Sequence, residues 1–417
     1  MLFDILPRAL QLLLASSLWS PSPQSPPDTR LRFELRHEHA LSNTSRVVFS
    51  DVAPSADFAL GGSSIRAKRT TVHKPVSQAL SGVRFRGGDL TWDTTEVDGP
   101  DVQDREALLL LAKIANNAYT ASGAKDWYDI GPDWNNSYPF GWEPDADGFR
   151  GHVFATPDNS TVIVSVKGTS IFWPVGGGGP TQRKDKLNDN LLFSCCCARV
   201  GPTWSTVCGC YEGGYKCDQD CLEKSLAEES LFYSVGINLY NNVTYMYPNA
   251  NIWMIGHSLG GALASLVGIT FGVPVVAFEA PAERLAASRL HLPSPPSTHH
   301  VTHVYNTADP IPMGTCTGVS STCAIVGVAL ETRCHLGQVI RYDTVTKLGW
   351  SANIIHHGIQ AVVDGVLSRD DINWGEKDGE NRTVPALTIE DDCVDCFNWE
   401  FGYYRNVSRA GCGNRIY

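Results

Sequence analysis

Several features common in other proteins are missing from this sequence of 417 residues, and their absence narrows its class. Positive charge is not in excess, because the formal net charge is −11, so nucleic acid is not expected as a partner. No segment of about 20 to 50 residues repeats, which excludes a solenoid or a propeller. The apolar run at the N-terminus covers only residues 9–19, whereas a membrane-spanning helix needs about 20 residues. The chain is therefore expected to be globular and long enough for one large domain or two smaller ones.

Cysteine is absent from the first 194 residues, and seven of the thirteen cysteines lie between Cys195 and Cys221. Such density indicates either disulfides formed in an oxidising lumen or a metal cluster. Structural zinc sites need paired C-x2-C knuckles, which the run CCC followed by CGC does not supply. We therefore expect disulfides and no metal, with one thiol of the odd total free or joined to another chain.

The N-terminus and the sequons both indicate the secretory pathway. The apolar run has the length of a cleaved signal peptide, and a short uncleaved signal anchor stays open because residues 2–5 lengthen it. Six N-x-S/T sequons are candidate glycosylation sites in that pathway: Asn43, Asn135, Asn159, Asn242, Asn381 and Asn406. Composition divides the chain into a signal or anchor with its linker (1–27), an N-terminal luminal extension (28–100), a main domain (101–370) with a cysteine-rich insert (175–225), and an acidic C-terminal segment (371–417).

The segment Asn251 to Gly272 carries the most informative motif. A short apolar run of strand composition leads into Gly256-His-Ser-Leu-Gly260, and an Ala- and Leu-rich helical segment follows. Strand, G-x-S-x-G and helix in this order are typical of the nucleophile of an α/β-hydrolase. The chemistry needs the sharp turn because a serine hydroxyl is a weak nucleophile that must be lifted clear of its own backbone. Ser258 is therefore the predicted nucleophile.

Runs of buried-strand composition alternate with helical patterns around this motif. Residues 160–166, 273–278 and 302–306 have strand composition, and residues 104–119 and 222–240 have helical periodicity. This rhythm predicts the α/β class: an α/β-hydrolase with a mostly parallel central sheet, helices on both faces and a cysteine-rich insert.

A nucleophilic serine needs an acid and a base, which in α/β-hydrolases follow it in the order acid, then histidine. Asp309 directly follows a predicted strand and is the preferred acid, while Glu279, one strand earlier, is its competitor. His356 and His357 come after the last predicted core strand, where the order places the base, and either one fits. The other downstream histidines are less suited by position: His291, His299, His300, His303 and His335.

The tetrahedral intermediate of acyl transfer needs hydrogen-bond donors for its oxyanion. The backbone N–H of Leu259 directly follows the nucleophile. A second donor is expected in a loop after an earlier strand, where Gly168-Thr169 fits. This chemistry requires no metal or organic cofactor.

Five motifs in chain order resemble the class 3 (fungal triacylglycerol) lipases: V-x-V-K-G-T-S, G-H-S-L-G-G-A-L-A, F-E-A-P, N-T-A-D-P-I-P and a late histidine before a helix. The cysteine-rich insert and the segment RCHLGQVIRYDT are similar to the vacuolar autophagy-related lipases of fungi. The resemblance covers residues 90–367. By position it implies Ser258 as nucleophile, Asp309 as acid and His357, rather than His356, as base. It also implies Thr169 and Leu259 as oxyanion donors.

The resemblance implies a serine lipase or phospholipase that lyses autophagic bodies and multivesicular-body vesicles in the vacuole lumen. Its partners would be membrane phospholipids, neutral lipids, or both, at a vesicle surface. It further implies a single-pass type II protein of the multivesicular body or endosome, delivered through the endoplasmic reticulum and Golgi; the short N-terminal apolar run departs from this pattern.

The insert occupies the chain position of the lid in class 3 lipases. We therefore expect it to cover the acyl groove, with Trp204 and Tyr215 as lipid contacts. A disulfide knot far from the site is the open alternative. For the whole protein, the alternatives are a secreted soluble carboxylesterase and a catalytically silent hydrolase-fold binding protein. The sequence leaves the preferred lipid and the oligomeric state open.

Overall fold

The computed structural model describes residues 29–42, 46–52, 64–76, 91–120, 125–130, 148–169, 182–197, 206–229, 231–317, 321–375 and 379–404. Several predictions concern residues outside these ranges: the N-terminal signal or anchor, the sequons at Asn43, Asn135 and Asn406, the proposed lipid contact Trp204, and Cys412. Within the described ranges, none of the helices has the length and apolar character needed to cross a membrane.

The described chain begins with five successive strands, and strands and helices alternate from residue 251 to residue 348. The strands are β1 (Thr29–Arg32), β2 (Glu34–Leu41), β3 (Val47–Asp51), β4 (Ser64–Pro75), β5 (Trp92–Pro100), β6 (Arg150–Ala155), β7 (Thr161–Val166), β8 (Tyr211–Gly213), β9 (Lys216–Asp218), β10 (Asn251–His257), β11 (Val275–Phe278), β12 (Val301–Asn306), β13 (Gln338–Tyr342) and β14 (Glu400–Gly402). The α-helices are α1 (Arg105–Asn117), α2 (Gln182–Phe193), α3 (Gln219–Glu229), α4 (Leu231–Met246), α5 (Leu259–Phe271), α6 (Arg284–Arg289), α7 (Cys323–Val326), α8 (Thr344–Leu348) and α9 (Ile359–Val362). A 3-10 turn (Ile354–His357) precedes α9, and a π-helical turn (Val363–Leu367) follows it.

The central sheet has eight strands in the order β13-β12-β11-β10-β7-β6-β2-β3. The five strands from β13 to β7 pair in parallel, and the remaining pairs are antiparallel. Parallel strands need crossover connections, which the intervening helices supply. The predicted α/β-hydrolase class, with its mostly parallel sheet, is confirmed.

Two hydrophobic cores lie on the two faces of this sheet. One packs α1 and α9 against side chains such as Ile163, Trp253 and Ile255. The other packs α2 to α5 against Val164 and Met254, which alternate with the first set along the same strands. Helix α5 contributes most to the second core because residues 259–270 are all buried. The predicted helices on both faces are therefore observed.

The N-terminal extension contributes directly to the main fold. Strand β2 pairs with β6, and β3 pairs with β2 at the edge of the central sheet. Strands β1, β4 and β5 form a separate antiparallel sheet. This small sheet contacts the central one through Asp98, whose carbonyl oxygen accepts a hydrogen bond from Trp253 Nε1 at 2.6 Å.

Within the described ranges, six disulfides join twelve cysteines, which confirms the predicted disulfides: Cys195–Cys396, Cys196–Cys217, Cys197–Cys208, Cys210–Cys221, Cys316–Cys323 and Cys334–Cys393. The first of them ties the cysteine-rich insert to the C-terminal segment. Strand β14 of that segment also pairs with β9 of the insert, in a small sheet with β8. The insert and the C-terminal segment thus form one disulfide-linked unit.

Candidate active site

Ser258 lies at the sharp turn between β10 and α5, at the carboxyl end of the parallel strands. Its backbone has φ 57° and ψ −132°, a region that costs about 1–3 kcal/mol for a non-glycine residue. Hydrogen bonds hold the strained turn: Ser258 N donates to Phe278 O at 2.9 Å, and Ala262 N donates to Ser258 O at 3.1 Å. The turn thus has the geometry that the G-x-S-x-G motif predicts.

The glycines of the motif are required by close backbone contacts. A Cβ on Gly256 would lie 2.4 Å from the carbonyl carbon of Gly260. A Cβ on Gly260 would lie 2.2 Å from Val166 O of the neighbouring strand. Both contacts are with backbone, which cannot move aside, so only glycine lets α5 start directly against β7.

Ser258, His357 and Asp309 form a buried chain of hydrogen bonds. Ser258 Oγ lies 2.8 Å from His357 Nε2, and His357 Nδ1 lies 2.6 Å from Asp309 Oδ2. None of the three side chains belongs to a residue more than 4% exposed. Asp309 is oriented further by Ile311 N, which donates to Asp309 Oδ1 at 2.9 Å. Because the carboxylate accepts from Nδ1–H, Nε2 is left as the acceptor for the serine proton.

The structure separates the two candidate histidines. His357 is buried at the end of the 3-10 turn and contacts both Ser258 and Asp309. The ring of His356 instead stacks on Trp350, with centroids 4.4 Å apart. Of the two adjacent residues, only His357 has the contacts that a general base needs.

Glu279, the competing acid, lies beside Asp309 rather than against the histidine. Its Oε1 accepts from Asn306 N and from Asn306 Nδ2, both at 3.0 Å. Burial, and then the neighbouring Asp309, raise the pKa of the Glu279 carboxyl well above its ordinary value. Asp309, the acid preferred from chain order, is thus the carboxylate that contacts His357, and Glu279 is a second carboxyl behind it.

The expected oxyanion residues approach Ser258 from β7. A Cβ on Gly168 would lie 2.3 Å from His257 O and 3.0 Å from Ser258 Cβ, so glycine brings the Gly168-Thr169 turn directly against the nucleophile. Leu259 is the first residue of α5, where an N–H has no acceptor within the helix. These positions suit the two predicted donors.

Sequence reasoning missed a buried ionic cluster behind the oxyanion turn. Thr169 Oγ1 donates to Asp189 Oδ2 at 2.5 Å, and Lys167 Nζ contacts Gly168 O at 2.6 Å and Asp185 Oδ2 at 3.3 Å. Burial, partly offset by the Thr169 hydrogen bond, raises the pKa of Asp189 to about 7. Burial lowers the pKa of Lys167 to about 8. Both carboxylates come from α2, whose polar sequence carries no motif that would have marked them.

His257 also contacts His357, although the motif alone gave it no role. Its Nε2 lies 2.7 Å from His357 O, and because a carbonyl only accepts, that nitrogen carries the proton. Its Nδ1 therefore accepts from Tyr119 Oη at 2.8 Å. Burial, and then the nearby His357, lower the pKa of His257 well below its ordinary value, so the ring is neutral. This bond fixes the backbone from which the His357 ring projects.

The described sequons and Tyr215 lie at the surface. Asn159 and Asn381 are exposed, and Asn242 is partly exposed with its amide donating to Asn238 O at 2.9 Å. Tyr215 is 61% exposed and its ring contacts Trp399 of the C-terminal segment, with centroids 5.4 Å apart. Glycosylation and a lid role stay predictions.

The fold and the Ser–His–Asp contacts define the class as an α/β-hydrolase. The family model described as "Lipase (class 3)" matches residues 224–316. The chain is 42% identical to the "Putative lipase ATG15" of Cryptococcus neoformans var. neoformans serotype D (strain B-3501A), over 95% of this chain and 98% of that protein. It is 49% identical to the protein of the same name from Mycosarcoma maydis, over 77% of this chain and 62% of that protein.

The chain therefore belongs to the ATG15 lipase family, and the resemblance found in the sequence is confirmed. Family membership indicates a hydrolase that acts on esters. Among solved structures, the Lip2 lipase from Yarrowia lipolytica aligns over 59% of this chain and 80% of that lipase, with 15% identity and a TM-score of 0.31. At that score the likeness adds nothing to the fold described above.

Proposed function

We propose that this protein is a serine lipase that cleaves carboxylic esters of membrane lipids through an acyl-serine intermediate. The observation that carries the proposal is the buried chain from Ser258 Oγ through His357 to Asp309, at 2.8 Å and 2.6 Å. Each distance lies within hydrogen-bond reach, so a proton can pass from the hydroxyl to the ring without rearrangement.

In the acylation step, His357 Nε2 takes the Ser258 proton as Oγ attacks the ester carbonyl carbon. Asp309 holds the ring in the tautomer with a proton on Nδ1 and stabilises the imidazolium that forms. The backbone N–H groups of Leu259 and Thr169 donate to the oxyanion. The imidazolium then protonates the leaving alcohol oxygen, and water attacks the acyl-serine by the reverse sequence of proton transfers.

The finer assignment, to lysis of autophagic bodies and multivesicular-body vesicles in the vacuole lumen, belongs to the same proposal. Three observations support it: the ATG15 name of the relatives, the disulfides, which suit an oxidising lumen, and the class 3 lipase match. On this proposal, the substrates are phospholipids, neutral lipids, or both. The cysteine-rich insert, fastened to the C-terminal segment by Cys195–Cys396, is the candidate cover of the acyl groove.

Lipid turnover by the purified protein tests the proposal. Anionic phospholipid vesicles and triacylglycerol emulsions are compared at about pH 5, with Ser258→Ala as the blank. We expect fatty-acid release that falls at least about 10⁴-fold in Ser258→Ala, because a triad without its nucleophile retains only binding and oxyanion stabilisation. A fluorophosphonate probe should label the wild type and not the variant.

Equal fatty-acid release from both proteins would contradict the catalytic role of Ser258. An absence of labelling in the wild type would favour the catalytically silent binding protein. Turnover of small soluble esters without turnover of vesicles or emulsions would favour the soluble carboxylesterase.

A further inference from the structure

We propose that Glu279 is a positioning residue that keeps a proton on Oε2 and donates it to Asp309, so that a hydrogen-bonded carboxyl–carboxylate pair orients the base. The inference rests on the proposed function, because it takes Asp309 as the acid of a working triad. It assigns a role to the carboxyl that lies behind the triad and touches neither the serine nor the histidine.

The backbone at Glu279 has a strained conformation that is tightly held, although the residue lies outside the triad. Glu279 directly follows β11. This strand lies between β10, which leads to Ser258, and β12, which leads to Asp309. Its φ is 44°, in the left-handed region that a long side chain rarely adopts. Such strain persists only where the surroundings enforce it, and it clusters at functional sites. Glu279 N donates to Val304 O at 2.9 Å, so the strained position is fixed from the neighbouring strand.

The hydrogen bonds of the side chain require a proton on one oxygen. Glu279 and Asp309 are both completely buried. Oε1 is satisfied by the two donors of Asn306, whereas Oε2 has no donor partner among the described residues. Asp309 lies close enough to raise the pKa of the Glu279 carboxyl, both through its negative charge and through a side-chain hydrogen bond. Two bare carboxylates in such contact would repel, so one of them must carry a proton and donate it to the other.

The proton belongs on Glu279 because of what each carboxyl accepts. Asp309 receives His357 Nδ1–H and Ile311 N–H on its two oxygens, and both bonds favour the ionised form. Glu279 receives donors on one oxygen only, and its raised pKa agrees with a neutral form. With the proton on Oε2, Asp309 accepts a third hydrogen bond and its carboxylate is held toward the imidazole.

Ionisation of Glu279 would disturb the base. Among the described residues, the titratable groups near it are Asp309, His357 beyond Asp309, and Tyr305 of β12, whose hydroxyl donates to Glu390 at 3.0 Å. A second negative charge beside Asp309 would hold the proton of His357 more tightly, and a protonated imidazole cannot accept the serine proton. Asn306 Nδ2 also donates to His356 O at 3.1 Å, so the same carboxyl braces the turn that carries the base.

The test compares Glu279→Gln, which keeps one donor and one acceptor and cannot ionise, with Glu279→Leu, which keeps neither. The kcat and KM for a p-nitrophenyl ester are measured between about pH 4 and pH 9. We expect Glu279→Gln to keep kcat within about threefold at pH 5, and Glu279→Leu to lose about tenfold or more in kcat with KM nearly unchanged. The ratio of kcat of Glu279→Gln to that of the wild type should rise with pH, as the wild type loses the proton.

The matched control is Glu283→Gln, another buried carboxyl, which bonds Ser265 and His303 and not the triad. It should leave the kcat profile unchanged. A readout that needs no activity is the melting temperature of Glu279→Gln relative to the wild type. Because the folded wild type keeps a proton that the unfolded chain releases above its ordinary carboxyl pKa, this difference should widen as pH rises.

Three results would overturn the proposal: equal losses of kcat in Glu279→Gln and Glu279→Leu, wild-type kcat in both, or a melting difference independent of pH. The first would mean that an ionised carboxylate is required, and the second that Glu279 has no role. If Ser258→Ala turns over ester as fast as the wild type, the proposed function fails. The melting comparison then still tests the proton on Glu279 separately.

Discussion

We expect Asp189 to make both stability and catalysis depend on pH, and we expect one substitution to remove that dependence. Its side chain is buried, Oδ2 accepts a hydrogen bond from the Thr169 hydroxyl at 2.5 Å, and Oδ1 has no partner among the described residues. Burial raises its pKa from an ordinary 3.8 to about 7. The variant Asp189→Asn reproduces the neutral form of the side chain with nearly the same shape.

The sign follows from proton counting. Between pH 3.8 and about 7 the unfolded chain releases the Asp189 proton while the folded protein keeps it, so stability falls as pH rises. At about 1.4 kcal/mol per pH unit, the full difference is about 4 kcal/mol, reached above pH 7 and absent below pH 3.8. Asp189→Asn should therefore gain stability relative to the wild type progressively across this range, up to about 4 kcal/mol.

Urea unfolding at about pH 4, 6 and 8 measures this difference, with Asp220→Asn as the control. Asp220 is an exposed acid whose carboxylate contacts Lys224 at 2.6 Å, and its substitution should shift stability by less than about 0.5 kcal/mol at each pH. Activity gives a second readout: ionised Asp189 places a negative charge beside the oxyanion turn, so wild-type kcat should fall above about pH 7 while the variant keeps its rate. A stability difference that does not change between pH 4 and pH 8 would refute the reasoning.

Two further predictions concern the histidines. His357→Ala should lower kcat by at least about 10⁴-fold, because it removes the proposed base. His356→Ala should keep kcat within about tenfold of the wild type in the same ester assay, since the His356 ring stacks on Trp350 away from the serine. Similar losses of kcat in the two variants would contradict the assignment. Glu390→Gln should lower the melting temperature most between pH 4.5 and 6.5. The pKa of His335 is raised, so its contribution to stability is complete below pH 6.5. The pKa of Glu390 is lowered to about 2, so its contribution to stability is complete above pH 4.5. A melting shift that is largest outside this window would count against the ion pair.

The fold class could be predicted because local patterns encode it, and the same patterns single out Ser258 as the predicted nucleophile. The strand, the glycine-flanked turn and the helix around Ser258 are contiguous, and their geometry is enforced by backbone contacts within a few residues and with the adjacent strand. Asp309 is the predicted acid for a related reason: it follows β12 directly, and parallel strands end at one edge of the sheet. Chain order and the positions of the strand ends therefore predict most of the proposed triad.

The choice between His356 and His357 could not be made from spacing, since both lie in one 3-10 turn. It depends on the turn's orientation, which Asn353 sets by accepting from Ile355 N at 3.1 Å while Asn306 binds His356 O. The disulfide pairing could not be predicted from the sequence for a similar reason. Cys195 bonds Cys396 across 201 residues, and nothing in the local spacing of the cysteine run marks that partner.

The raised pKa values of the carboxyls behind the site could not be predicted from the sequence, because they result from burial. Asp189 lies in a polar helix with no motif, and Glu279 looked like an alternative acid because it too follows a strand. Their unusual proton affinities arise only when the fold removes water and places Thr169 or Asp309 against them. The sequence gives the residue types, but the dielectric environment around each residue is set by the tertiary structure.

The buried titratable groups divide into two sets with opposite pH dependence. Asp189 and Glu279, whose pKa values burial raises, lose their protons as pH rises, and the loss is expected to lower stability. Burial lowers the pKa of His39 and His300 to about 4 and that of His152 to about 3, and these histidines lie in the scaffold. Each is neutral when folded but binds a proton below 6.5 when unfolded, so their contribution to stability is lost as pH falls. Asp189 and Glu279 are therefore expected to limit stability as pH rises, and these histidines to limit it as pH falls, so the two sets bound the pH range of the folded protein from opposite sides.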